Sequence, residues 1–299
     1  AATILVEALK NHIEIPIHLH THDTSSLQAA TYLNAAQAGV DIIDVALASM
    51  SGLTSQPNFN SVAVMLDEMG LGEKINIPSL NKFSDYWEDV RNYYYPFESG
   101  LKAGTAEVFE HEIPGGQYSN LRPQAAALGL ESKFDQVKAN YRIVNDLLGG
   151  IVKVTPSSKV VGDMAIFMTA NNYTAEDIMT KGDKISFPDS MIEMMRGDLG
   201  QRDEGWPKDF QKIVLKDQVP YEGKPNDQMP PIDLQAAYDF FKERFPEMSE
   251  YFNFLSYQMY PTVFEQFYQH KQTYGDVTHL PTTAFFYGLA YNEEIMIQM

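Results

Sequence analysis

Apolar positions recur at helical spacing through the first twelve residues, with Ile4, Leu5, Ala8 and Leu9 on one side of the pattern. The period then changes. Residues 15–19 read Ile-Pro-Ile-His-Leu, an apolar stretch suited to a strand, and a second helical pattern covers 25–39. A continuous apolar run starts at Asp41-Ile42-Ile43. Helix, strand, helix and strand joined by short loops predict a parallel sheet covered by helices, either a (β/α) barrel or a doubly wound sheet. Residues 81–98 predict an aromatic-rich helix in which Tyr93, Tyr94 and Tyr95 pack. From about 106 to 277 the pattern is mostly helical, broken by loop text at FPDS, GQRDEGWPKD and KPNDQMPP. Beyond His279 the segment FFYGLAYNEEIMIQM predicts two short strands around a turn near Asn292.

Composition narrows the class. The 299 residues include no cysteine, so there is no disulfide framework and no thiolate metal site. No apolar run approaches the roughly 18–20 residues of a membrane span, and the amphipathic opening lacks the layout of a signal peptide. A formal charge of −18 argues against a nucleic-acid partner, and the acidity is spread along the chain as on a solvated surface. No Gly-x-Gly-x-x-Gly follows a strand, so nucleotide binding by that route has no support. These features suit a cytoplasmic enzyme that binds neither membrane nor nucleic acid.

Three of the seven histidines fall within five residues, at His18, His20 and His22. Alternate side chains of a strand share a side, so the three imidazoles form one column. Two imidazoles so placed can grip one ion. His20 and His22 lie at the strand's C-terminal mouth, where parallel α/β folds build active sites. A surface strand with chance histidines is the plainer alternative. A second constellation, Val154-Thr155-Pro156-Ser157-Ser158-Lys159, reads on its own as a turn and helix start capped by Ser or Thr. Gln117 follows a Gly-Gly pair and reads equally as a turn residue or as part of a site.

The ordered series HTHDTS, GVDIIDVALASMSGLTSQP, EHEIPGGQYSNL, KVTPSSKVVGDMA, FLSYQMYP and YGDVTHLPT resembles the pyruvate carboxylase family. The likeness is to the later part of the carboxyltransferase domain and the segment beyond it. It implies an α/β fold: the C-terminal part of a (β/α)8 TIM-type barrel over 1–105, then a mostly helical funnel over 106–277. The beginning of a small β domain that links to allosteric and tetramerisation elements would occupy 278–299. The implied reaction moves a carboxyl group from carboxybiotin to pyruvate, giving oxaloacetate. By resemblance, His20 and His22 are two ligands of a divalent metal, zinc or manganese, with His18 one layer behind. Thr155 matches the family's proton-shuttling threonine, Ser158 and Lys159 match residues of the biotin pocket, and Gln117 falls in the same channel.

Biotin on a carrier domain, ATP used by another domain and a homo-tetrameric assembly are further implications, all involving parts outside this chain. The family's Asp ligand, carbamylated Lys and pyruvate-binding Arg motifs are also outside it, which implies that the chain alone is inactive. Ser26-Leu27-Gln28 replaces the family's Gly-Asn-Gly and implies an earlier helix start with a different loop. A biotin-dependent oxaloacetate decarboxylase or transcarboxylase subunit, or a metal-dependent aldol-type lyase or synthase, shares the barrel. A non-catalytic folding or oligomerisation segment is the remaining class.

Overall fold

The computed structural model describes residues 1–95, 98 and 100–280 of the chain. The strands expected around Asn292 lie outside the described residues. Two compact units are present, residues 1–227 and residues from 228 onward.

The first unit opens with α1 (Ala2–Lys10), β1 (His18–Leu19), α2 (Gln28–Gln37) and β2 (Ile42–Ile43). β1 and β2 pair in parallel, His18 opposite Ile42 and Leu19 opposite Ile43. A single parallel bridge, Ala46 to Asn58, follows. Among the described residues the sheet is thus two-stranded, and the strands are shorter than the apolar text suggests. Pro16 has no N–H to give a ladder, and the N–H of Ile17 donates to the Asp41 carboxylate at 2.7 Å instead of to a neighbouring strand. α1 also presents a different face from the one its pattern predicts. Val6 is buried with Ile17 and Ala35, and Ala2 and Leu9 pack beside them. Ile4 and Leu5 are 73% and 55% exposed. The spacing Ala2, Val6, Leu9 is itself helical, and the small side chain of Ala35 on α2 admits Val6 closely.

α3 (Phe59–Glu68) and α4 (Ile77–Tyr94) complete this part, each capped by an asparagine side chain, Asn58 and Asn76, that accepts from an N–H three residues on. Tyr93 and Tyr94 are about half-exposed, and Tyr95, at 75% exposed, is the member of the run that is not packed as expected.

A helical region follows: α5 (Val108–His111), α6 (Gly115–Ala127), α7 (Phe134–Leu147), α8 (Ser157–Asn171), α9 (Ala175–Lys181), α10 (Asp189–Arg196) and α11 (Lys208–Leu215). α8 is its centre. Val160, Val161, Met164, Ala165 and Met168 are all buried, so the helix is apolar on nearly every side, as a core helix must be. α7 packs along it, and the buried Asn140 Nδ2 donates to Thr169 Oγ1 at 2.9 Å, which satisfies two polar groups inside that contact. Gly162 lets α6 approach, since a Cβ there would lie 2.6 Å from Gln117 Nε2 and 2.9 Å from Leu121 Cδ1.

The second unit contains α12 (Leu234–Arg244), α13 (Tyr251–Met259) and α14 (Pro261–Tyr274). The aromatic text FNFLSYQMYPTVFEQFYQ supplies its core, in which Phe254 and Phe264 are buried with Phe241 and Phe245. Phe245 and Phe264 meet edge to face, centroids 5.3 Å apart at 77°. A parallel α/β segment followed by helices is the order the sequence predicts.

Candidate functional site

His18 and His20 extend to the same side of β1 and share one carboxylate. His18 Nε2 lies 2.6 Å from Asp44 Oδ1, and His20 Nδ1 lies 2.7 Å from Asp44 Oδ2. The parallel register places Asp44 just past β2, next to the end of β1. These two hydrogen bonds hold the Asp44 carboxyl below the usual carboxylate range. His22 bonds differently: its Nδ1 lies 2.5 Å from the carbonyl oxygen of Thr54. Carboxylate and carbonyl oxygens only accept, so the Nδ1 of both His20 and His22 carries the proton. A neutral ring in that tautomer has its free lone pair on Nε2. The two rings stand 5.1 Å apart, centroid to centroid, at 79°, and His20 is half-exposed.

α6 begins against this strand end. A Cβ at Gly115 would lie 2.7 Å from Thr24 Oγ1 and 2.8 Å from His22 Cβ, so only glycine permits the approach. Ser119 Oγ, one turn on, donates to Thr54 Oγ1 at 2.7 Å, which ties α6 to the residue that holds the His22 ring. Gln117 is buried on the same helix, and its Nε2 has no hydrogen-bond partner. It faces Gly162 of α8. Thus Gln117 lies where the helix touching His22 meets the helix that begins at Ser157.

Thr155 precedes that helix in an exposed turn. Val154 and Pro156 on either side of it line a cleft of about 480 Å3 whose other wall includes Arg202 and Trp206. The expected Ser or Thr cap is not formed: Pro156 occupies the N-cap position, without a side-chain cap bond. Ser157 instead accepts the N–H of Val154 at 3.2 Å and lies 2.7 Å from the carbonyl of Val152, so its hydroxyl is spent on the incoming strap. Ser158 is buried, and its carbonyl accepts from Tyr141 at 3.3 Å. Lys159 runs along the helix surface to Asp163 Oδ2 at 2.6 Å, an oxygen that also accepts from Ser190 Oγ at 2.8 Å.

The structure therefore brings His20 and His22 together on one strand end, and gathers Thr155, Ser158 and Lys159 at one helix start. Among the described residues no group of three or more His, Asp or Glu side chains forms a metal-holding cluster. Asp44, Thr54 and Glu112 are contributors that the sequence reading missed. Asp44 could have been found by placing Asp41-Ile-Ile-Asp44 in parallel register beside His18.

Glu112 has left-handed backbone, φ +60°, at the join of α5 and α6. Its carboxyl is held below the usual range chiefly by the hydrogen bond from Lys153. His111, beside it, is buried, and its Nδ1 accepts the N–H of Ile113 at 2.9 Å. Burial, with the Lys138 charge adding to it, pushes its pKa down to about 4.

A family profile described as the conserved carboxylase domain matches residues 108–299. The pyruvate carboxylase of Bacillus subtilis (strain 168) is 46% identical over 300 residues, which cover 100% of this chain and 26% of that protein. The mitochondrial pyruvate carboxylase of Homo sapiens is 40% identical over 302 residues, again 100% of this chain and 26% of the relative. The solved carboxyl transferase domain of Rhizobium etli pyruvate carboxylase with pyruvate superimposes with a TM-score of 0.90 at 45% identity, over 96% of this chain and 48% of that one. The chain spans about a quarter of the length of the curated relatives it matches. With more than half of its residues matched by the profile, the chain belongs to the conserved carboxylase domain family.

Proposed function

We propose that this chain is the carboxyltransferase portion of a biotin-dependent pyruvate carboxylase, moving a carboxyl group from carboxybiotin to pyruvate to give oxaloacetate. The observation that carries the reading is the pair of Nδ1 bonds at His20 and His22, which leaves two Nε2 lone pairs free on one strand end. A metal-binding imidazole ordinarily donates its other N–H to a carboxylate or carbonyl in this way. The residues present thus fit a divalent cation, zinc or manganese, which when bound supplies a Lewis acid for negative charge on the former carbonyl oxygen of pyruvate. His20 and His22 would hold it through Nε2, Asp44 and the Thr54 carbonyl would keep the rings oriented, and His18 would steady Asp44. Two imidazoles are fewer than a closed site needs, so the reading takes the other ligands from outside residues 1–299.

The chemistry needs a proton moved as well. The pyruvate methyl loses one, a C–C bond forms as the C–N bond of carboxybiotin breaks, and biotin N1 gains one. A hydroxyl both donates and accepts, which suits Thr155 Oγ1 to carry it. Ser158, Lys159 and Gln117 are proposed to line the biotin channel, and the Lys159 ammonium is already oriented by Asp163. In this reading residues 1–105 are barrel, 106–277 the helical region and 278–299 the start of a linking domain. The carrier domain, ATP site and homo-tetramer belong to the rest of the enzyme.

The test is made in the full-length enzyme that contains this chain. His20→Ala and His22→Ala are each expected to lower bound divalent metal, measured by elemental analysis, and to abolish carboxyl transfer while ATP cleavage continues. Wild-type metal content in both variants would contradict the assignment.

A further inference from the structure

The strap that carries Thr155 is fixed at its two ends. At its start, Arg202 donates to the carbonyls of Leu148 at 2.9 Å and Gly149 at 3.2 Å. At its finish, Ser157 holds Val152 and Val154. Its middle is tied to a different part of the molecule. Lys153 Nζ donates to Glu112 Oε2 at 2.9 Å, and Asn145 Nδ2 donates to the same oxygen at 3.0 Å. The buried Asn145 then accepts the N–H of Ile151 on its Oδ1 at 3.1 Å. Glu112 is in turn immobilised. The next residue, Ile113, is fully buried, and three residues on is Gly115, the glycine pressed against His22.

We infer that Glu112 and Lys153 are positioning residues that set the place of Thr155 relative to the histidine-bearing strand end. The inference rests on the reading of Thr155 as proton carrier. A chain of short contacts connects the two halves of the site: His22 to Gly115, the α5–α6 join to Glu112, Glu112 to Lys153, and Lys153 to Thr155 two residues later. A surface ion pair would have one of its partners largely in water and would contribute little. Here the Lys153 side chain is 18% exposed and that of Glu112 33%, and the carboxylate also holds a buried amide. Glu112 keeps its left-handed backbone, a conformation uncommon outside glycine, at the point from which its carboxylate reaches the strap. Proton transfer tolerates little displacement: a misplacement of about 1 Å can cost ~10²-fold.

The experiment compares Lys153→Met, Lys153→Arg and Glu112→Gln in the full-length enzyme, each with Thr155 intact and with Thr155→Ala. With Thr155 intact, Lys153→Met and Glu112→Gln are expected to lower kcat for carboxyl transfer by ~10- to 10²-fold with pyruvate KM unchanged. Lys153→Arg, which retains the cation, should keep most of the turnover. In the Thr155→Ala background the same changes should add little, because they act through the missing hydroxyl. Wild-type kcat for Lys153→Met, or an equal fold-loss in both backgrounds, would overturn the inference. Full turnover of Thr155→Ala alone would instead overturn the proton-carrier reading, and the inference with it.

Discussion

His111 shows how one buried side chain writes a pH dependence into the fold. Its usual pKa of 6.5 falls to about 4 because burial disfavours the charged ring. Between those values the unfolded chain takes up a proton that the folded chain does not, so stability drops as pH falls through that window. The complete effect, reached below about pH 4, is on the order of 3 kcal/mol. His111→Gln keeps an acceptor for the Ile113 N–H but does not titrate. Urea unfolding of this variant should therefore show a flatter dependence on pH between about 7 and 5 than wild type. An unchanged slope would contradict the role given to His111. The histidine column illustrates what sequence can and cannot disclose about single residues. Spacing alone put His18, His20 and His22 on one side. Their partners were hidden because Asp44 is 24 positions from His20 and Thr54 is 32 from His22. The parallel register brings Asp44 near, and the loop that follows brings Thr54.

Helix α6 joins the site together, and a single glycine allows it to do so. Gly115→Ala places a methyl 2.7 Å from Thr24 Oγ1 and 2.8 Å from His22 Cβ, distances that side chains do not tolerate without movement. The expected cost is about 1–3 kcal/mol of stability, the usual penalty of overpacking, read as a lower thermal midpoint. An unchanged midpoint would show that the helix can shift freely. The existence of most helices was legible from their period, and α6, α7 and α8 fall where helical text dominates. Which face turns inward was less so. On α1 the conspicuous Ile4 and Leu5 are exposed while Val6 is buried, because the outcome depends on the shape of Ala35 and Ile17 opposite. The start of α8 departs from its sequence pattern for a similar reason. A serine at a helix start suggests a cap, but Ser157 has nearer acceptors in the strap before it.

The chain carries a charge of −18, and its candidate groups stand in two places: two imidazoles with one carboxylate at the end of β1, and a hydroxyl-bearing turn at the start of α8. The order α/β then helical was readable from the sequence, as was the family, because six separate motifs occur in the right succession. The proposed barrel goes beyond what the described residues show, a sheet of two strands with two residues each. No helix among the described residues is long and apolar enough to cross a membrane. We propose that Thr155 carries the proton in carboxyl transfer, and two substitutions at that residue separate a proton carrier from a structural threonine. Carboxyl transfer between pyruvate and carboxybiotin would be followed in the full-length enzyme, with ATP cleavage as the control. Thr155→Ser, which keeps the oxygen, should retain substantial activity. Thr155→Ala should lose at least the ~10²-fold typical of one positioned acid–base group. Equal activity in the two variants, both folded and both cleaving ATP normally, would contradict the account.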